Sequence, residues 1–192
     1  GQMILRLFLV PFLIVAVLVG IYLIGHTIYG RIGRSRSTDQ FLRDLDSTNP
    51  DIRWRAASDL SQELPRSPEM AKDAIFALDL ATRLQTALEQ SAGAEKEFAR
   101  KAGTLDQAEK VKILNKDLAP HRNLIMYLAA SLGNFYVPVG VPLLKQMALQ
   151  ADGMEEEALA ERRSRALFAL AVLGENLKRY DALKTDEKQR ID

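Results

Sequence analysis

The stretches "RNLIMYLAASLG" (Arg122–Gly133) and "RSRALFALAVLG" (Arg163–Gly174) lie 41 residues apart and match at six of their twelve positions. Arg122 pairs with Arg163, Met126 with Leu167, Tyr127 with Phe168, Ala130 with Ala171, and Leu132–Gly133 with Leu173–Gly174. Both read as amphipathic helices, with apolar residues at three- and four-residue steps and alanines between them. An offset of this size is the period of stacked helix-pair repeats, in which one pair cannot bury its apolar face alone and packs on its neighbours.

The same frame extends upstream to "NPDIRWRAASDLSQEL" (Asn49–Leu64). Pro50 and Asp51 open a helix there, because a proline in the first turn sacrifices no hydrogen bond. Ile52, Ala56, Ala57, Leu60 and Leu64 form its expected apolar stripe. Leu60 takes the place of Leu132 and Leu173, at an offset of 72 that one insertion of about 31 residues explains. The charged segment from about 91 to 120 has that length and position. "PDIRWRAASDL" (Pro50–Leu60) resembles the second-helix signature of a HEAT repeat, through Pro50 or Asp51, Ile52, Arg53, Ala56 and Leu60. The later units carry Ile125 and Ala166 where the signature has its arginine, and place an arginine one turn earlier. The resemblance covers roughly residues 38 to 180 and implies a short α-α solenoid of about three helix pairs with an extended binding surface.

Other segments fit an all-α reading. Thr38–Leu45 presents Phe41, Leu42 and Leu45 on one face and stops at "STNP". Ser67, Pro68 and Glu69 have the cap and first-turn chemistry of a helix running to about Gln90, with Ile75, Leu78, Leu80, Leu84 and Leu88 available for burial. Phe135, Leu143, Leu144, Phe168 and Leu170 are the expected fillers between helices, and no run after residue 38 alternates like a strand. The repeat domain is thus expected over 38–183, with a polar tail at 184–192.

The N-terminal region differs in kind. Residues 7–25, "LFLVPFLIVAVLVGIYLIG", carry no charge. As a helix they would span roughly 28 Å, close to the hydrocarbon thickness of a bilayer. No small-x-small cleavage site follows; Tyr22 and Tyr29 sit where an interfacial belt falls, and Arg31, Arg34 and Arg36 lie beyond. We therefore expect a single-pass anchor over 1–30 and a basic linker over 31–37 whose arginines meet lipid headgroups. The arginine excess on that flank places the helical domain on the cytoplasmic side of the cell membrane.

Reactive chemistry is not apparent. The chain has no cysteine and two histidines, His26 and His121, neither with a partner at metal-ligand spacing. No phosphate-binding glycine loop or nucleophile motif is present, so neither a cofactor nor a small-molecule substrate is expected. "EEEALAERR" (Glu155–Arg163) places acid early and base late on one helix, as a solvated face does. A net charge of +1, with Asp51 and Asp59 beside Arg53 and Arg55, is poor material for a phosphate-tracking surface, and nucleic acid is not expected. Trp54, with Arg53 and Arg55, is the candidate protein-contact group; an inter-repeat tryptophan is the competing structural role. The expected function is a non-catalytic scaffold or accessory subunit of a larger membrane complex, binding integral-membrane or soluble subunits, with a tethered adaptor as the alternative. The orientation is testable in this cysteine-free chain. A cysteine introduced at Lys188 is expected to resist an impermeant thiol reagent in intact cells and to react after permeabilisation; labelling in intact cells reverses the assignment.

Overall fold

The computed structural model describes residues 37–191, with side chains through Lys184. The expected anchor (1–30) and the linker arginines Arg31, Arg34 and Arg36 lie outside the described residues. Among the described residues every regular element is helical, and no helix is long and apolar enough to cross a membrane. The helices are α1 (Thr38–Leu45), α2 (Pro50–Glu63), α3 (Pro68–Lys72), α4 (Ala74–Lys101), α5 (Gln107–Ile113), α6 (Ala119–Gly133), α7 (Val141–Leu149) and α8 (Glu156–Ile191).

Local chemistry sets these boundaries. The Ser37 and Asn49 side chains accept from the Gln40 and Asp51 amides, capping α1 and α2. Asp106 and Glu109 form a reciprocal capping box on α5. A single π turn, Leu114–Leu118, then leads into α6. Asp73 divides what the sequence presents as one helix: its carboxylate accepts from the Ile75 and Phe76 amides, both at 3.0 Å, and so ends α3 and starts α4.

Helix α4 packs through a single face. Its buried stripe is Phe76, Ala77, Leu80, Leu84, Ala87, Ser91, Glu95 and Phe98. The expected burial of Ile75 and Leu78 is therefore corrected: both are exposed, Ile75 at 77%. The stripe also runs on past residue 91, so the first part of the charged insertion continues α4 rather than starting a separate piece. Ile52 and Phe168 are likewise exposed, against expectation, because the packed stripes of α2 and α8 run through Ala56–Leu60 and through Ala166, Ala169 and Leu173.

The helices associate as three antiparallel pairs. In α1/α2, Arg53 Nε donates to the Leu45 carbonyl at 3.1 Å, satisfying the exposed end of α1. In α4/α6, Phe76 packs edge-on against Phe135 at one end and Glu95 meets Arg122 at the other. In α7/α8 the chain reverses through a turn in which Gly153 adopts φ 88°. The second helices, α2, α6 and α8, lie side by side in the same direction. Trp54 stacks on Tyr127, and Asn134 reaches the Ser61 carbonyl, between α2 and α6. Asn176 Nδ2 donates to the Gly133 carbonyl at 3.1 Å between α6 and α8. Helix α6 sits in the middle, burying Leu124, Ile125, Leu128, Ala129, Leu132 and Gly133.

Among the described glycines the tightest surroundings are those of Gly133. A Cβ there would lie 2.8 Å from the Ala169 carbonyl oxygen and 3.0 Å from its Cα. Backbone cannot yield as a side-chain tip can, so Gly133→Ala is expected to destabilise the domain by about 1–3 kcal/mol in urea denaturation. Gly93 lies within α4, where an added Cβ meets nothing within 4 Å. Gly93→Ala is expected to stabilise by up to about 1 kcal/mol through helix propensity alone.

Candidate functional site

The most unusual chemistry of the described residues lies where α4, α6 and α8 meet. Glu95 sits on the buried stripe of α4 with 1% exposure, a position that normally holds an apolar side chain. Its carboxylate takes a bidentate pair from Arg122 of α6, with Nε at 2.9 Å and Nη2 at 2.7 Å. Arg162 of α8 approaches the same carboxylate at 3.7 Å, an ion-pair distance without a hydrogen bond. Its Nη1 reaches Gln150 Oε1 at 3.4 Å, while its buried Nη2 has no hydrogen-bond partner. Arg163 donates to the Gln150 carbonyl at 2.6 Å, so adjacent arginines of α8 hold the α7–α8 loop.

One carboxylate thus serves two guanidinium groups, and the electrostatics divide accordingly. Burial pulls Arg122 down, but the hydrogen bonds and charge of Glu95 outweigh it, and the net shift is upward. Arg162 moves the other way: burial lowers it, Glu95 opposes, and the neighbouring charge of Arg122 adds to the lowering. Elsewhere on α4, hydrogen bonds from Arg100 and Lys101 hold the exposed Glu97 carboxyl down to about 2.

Beside the cluster an open cleft of ≈ 780 Å³ separates α4 from α7. Gln85, Glu89 and Lys96 line one wall, and Gln146, Leu149 and Gln150 the other. Both charge signs and several amides face it, with Leu149 80% exposed at its edge. Such a surface offers hydrogen bonds and apolar contact. A guanidinium keeps its proton at physiological pH, so the arginines beneath the cleft cannot act as acid or base.

The structure separates the residues singled out in the sequence. Arg53 is occupied by the end of α1. Trp54 is half-buried: one face lies on the Tyr127 ring with centroids 6.3 Å apart, and the Arg55 guanidinium sits 5.5 Å from its centroid. Its Nε1 donates to Asp51 at 3.0 Å. Of the three, Trp54 joins the first pair to the second, Arg53 ties α2 to α1 within the first pair, and Arg55 is exposed beside the tryptophan. His121 is half-buried, and among the described residues no three potential metal ligands cluster. Glu161 is exposed and lies 3.7 Å from Arg165, one turn along α8. Sequence reasoning missed Glu95, because it lies in a run that reads as solvated. The available signal was its place on the 84–87–91–95–98 stripe.

Comparison with protein-family models, with curated proteins and with solved structures returned no match. The assignment of function therefore rests on this chain's own residues.

The charge imbalance predicts unequal responses to substitution. Glu95→Ala leaves two arginines facing each other without their counter-ion, and is expected to cost about 3–5 kcal/mol in urea denaturation followed by Trp54 fluorescence. Arg162→Met removes an incompletely bonded charge, and is expected to cost less than about 1 kcal/mol or to stabilise. Equal losses from the two variants would contradict this division of roles.

Proposed function

We propose that the chain is a membrane-anchored, non-catalytic helical-repeat scaffold, an accessory subunit docking onto a larger membrane protein assembly. The observation that carries this reading is the side-by-side arrangement of α2, α6 and α8, each paired with an antiparallel partner. Stacks of that kind present long surfaces made from successive helices, which suit protein binding. A HEAT-like solenoid of three pairs is the family reading supported by the 41-residue register and by Arg53, Ala56 and Leu60 in the first unit. The anchor is supported by the uncharged stretch at 7–25, and the arginines at 31, 34 and 36 support a cytoplasmic placement.

The cleft between α4 and α7 is the docking surface on this reading. Its amides and mixed charges match a partner segment that brings both polar and apolar groups. The Glu95 cluster below it keeps α4, α6 and α8 in register, so the cleft is pre-formed and costs little ordering on binding.

Native purification in mild detergent with crosslinking mass spectrometry tests the proposal. The expected result is a stoichiometric integral-membrane partner crosslinked to Lys96 at the cleft. Recovery with soluble proteins alone favours a membrane-tethered adaptor, and a chain that crosslinks to no other protein overturns both readings.

A further inference from the structure

The side of α8 facing away from its packed stripe is unusually apolar. Leu167 is 57% exposed and Phe168 69%, and Ala160, Ser164, Ala171 and Gly174 lie open on the same side. The 41-residue register explains what this side corresponds to. Leu167 and Gly174 are the counterparts of Met126 and Gly133 on α6. Those two residues form the surface on which α8 itself packs: Gly133 receives Ala169, and Met126 borders a small cavity shared with Arg162 and Arg165. Helix α8 thus repeats the receiving surface of α6 with nothing described against it; a Cβ at Gly174 would meet no atom within 4 Å. A capping helix of a solenoid turns a polar side outward, whereas this side of α8 carries Leu167 and Phe168.

The pattern on this face is self-complementary. Phe168 and Gly174 stand three residues to either side of Ala171. A twofold axis between the two Ala171 residues, with two copies of α8 antiparallel, brings each Phe168 level with the other copy's Gly174 across the seam. The same rotation brings the acidic end of the face, Glu157 and Glu161, over the basic end, Lys178 and Arg179, of the other copy. Glu161 also has Arg165 at 3.7 Å on its own helix, so its new neighbour joins an existing pair. A parallel arrangement would instead set acid against acid and base against base.

We propose that this face pairs with the same face of a second copy of the chain, forming a homodimer with its twofold axis at Ala171. The contact is isologous, as in most closed dimers. It uses a different surface from the α4–α7 cleft and stands whether or not that cleft binds a partner.

Site-specific disulfide formation tests the pairing in the full chain, because the wild type has no cysteine. A cysteine on a twofold axis meets its own copy with Cα atoms within about 7 Å, as a disulfide requires. Ala171→Cys in native membranes is expected to give a covalent homodimer under mild oxidation. Ile75→Cys, exposed on α4, is expected to give none. Adding Phe168→Glu to the Ala171→Cys chain should reduce crosslinking roughly tenfold or more, equivalent to about 1.4 kcal/mol. Gly174→Leu adds bulk at the seam without touching the protomer's interior, and should reproduce the loss if Phe168→Glu perturbs folding. Three results would each overturn the proposal: crosslinking of Ala171→Cys no better than that of Ile75→Cys, a disulfide joining the Ala171→Cys chain to a different protein, or crosslinking indifferent to both blocking variants.

Discussion

The rest of the domain is organised by the need to bury α6 on nearly every side. Leu124, Ile125, Leu128, Ala129, Ser131, Leu132 and Gly133 are all buried, and they do not fall on one stripe. A helix of this kind cannot lie at a surface; it has to be surrounded. Helices α2 and α8 flank it, α4 runs antiparallel beneath it, and each neighbour is shaped to its side. Ala56 and Ala57 let α2 approach, Gly133 admits the backbone of α8 at Ala169, and Phe135 closes the end against Phe76. Burial of each large side chain is worth about 1.5–3 kcal/mol, so removing any neighbour would expose several such groups together.

The Glu95 cluster shows how charge enters this interior. Burying a carboxylate costs several kcal/mol unless it is paired and hydrogen-bonded, and Arg122 provides both in bidentate form. Arg162 provides charge without completing the hydrogen bonding. The result selects one axial register for three helices, since sliding any of them by a turn would separate the charges. Outside the core, Arg83 performs a similar but weaker task, joining α4 to Asp46 at the end of α1 through two contacts at 2.6 and 2.9 Å. Tyr136 and Tyr180 stack at 5.5 Å, fastening the loop after α6 to α8.

Legibility in the sequence followed from how local each cause was. The helix starts at Thr38 and Pro50 were readable because their caps lie within three residues. The 41-residue offset was readable because the matched residues stand in the sequence whatever packs on them: Gly133 meets Ala169, whereas its counterpart Gly174 meets nothing within 4 Å. The division at Asp73 was not, since an aspartate inside an apolar pattern can face solvent as easily as cap a helix. The misplaced burial of Ile75 and Leu78 has a different cause: both are apolar, but neither lies on the 80–84–87–91 stripe that packs. Glu95 was hidden for another reason: its burial depends on Arg122, 27 residues away, and Arg162, 67 residues away. The repeat alignment pointed to Arg163, yet in the structure its neighbour Arg162 turns toward the carboxylate while Arg163 holds the loop.

Stacked helices offer the surfaces on which the proposed scaffold role depends, and the buried charges keep those helices in place. That role requires first that the domain be one unit built around α6. Hydrogen exchange of the full chain, resolved to single amides, tests this directly. The amides from Leu124 to Leu132 should exchange slowest, and those buried in α2, α4 and α8 should converge on the same opening free energy as denaturant rises. Exchange in α6 as fast as in the short helix α5, or separate opening of α2 and α8 without α6, would contradict a fold organised around that helix.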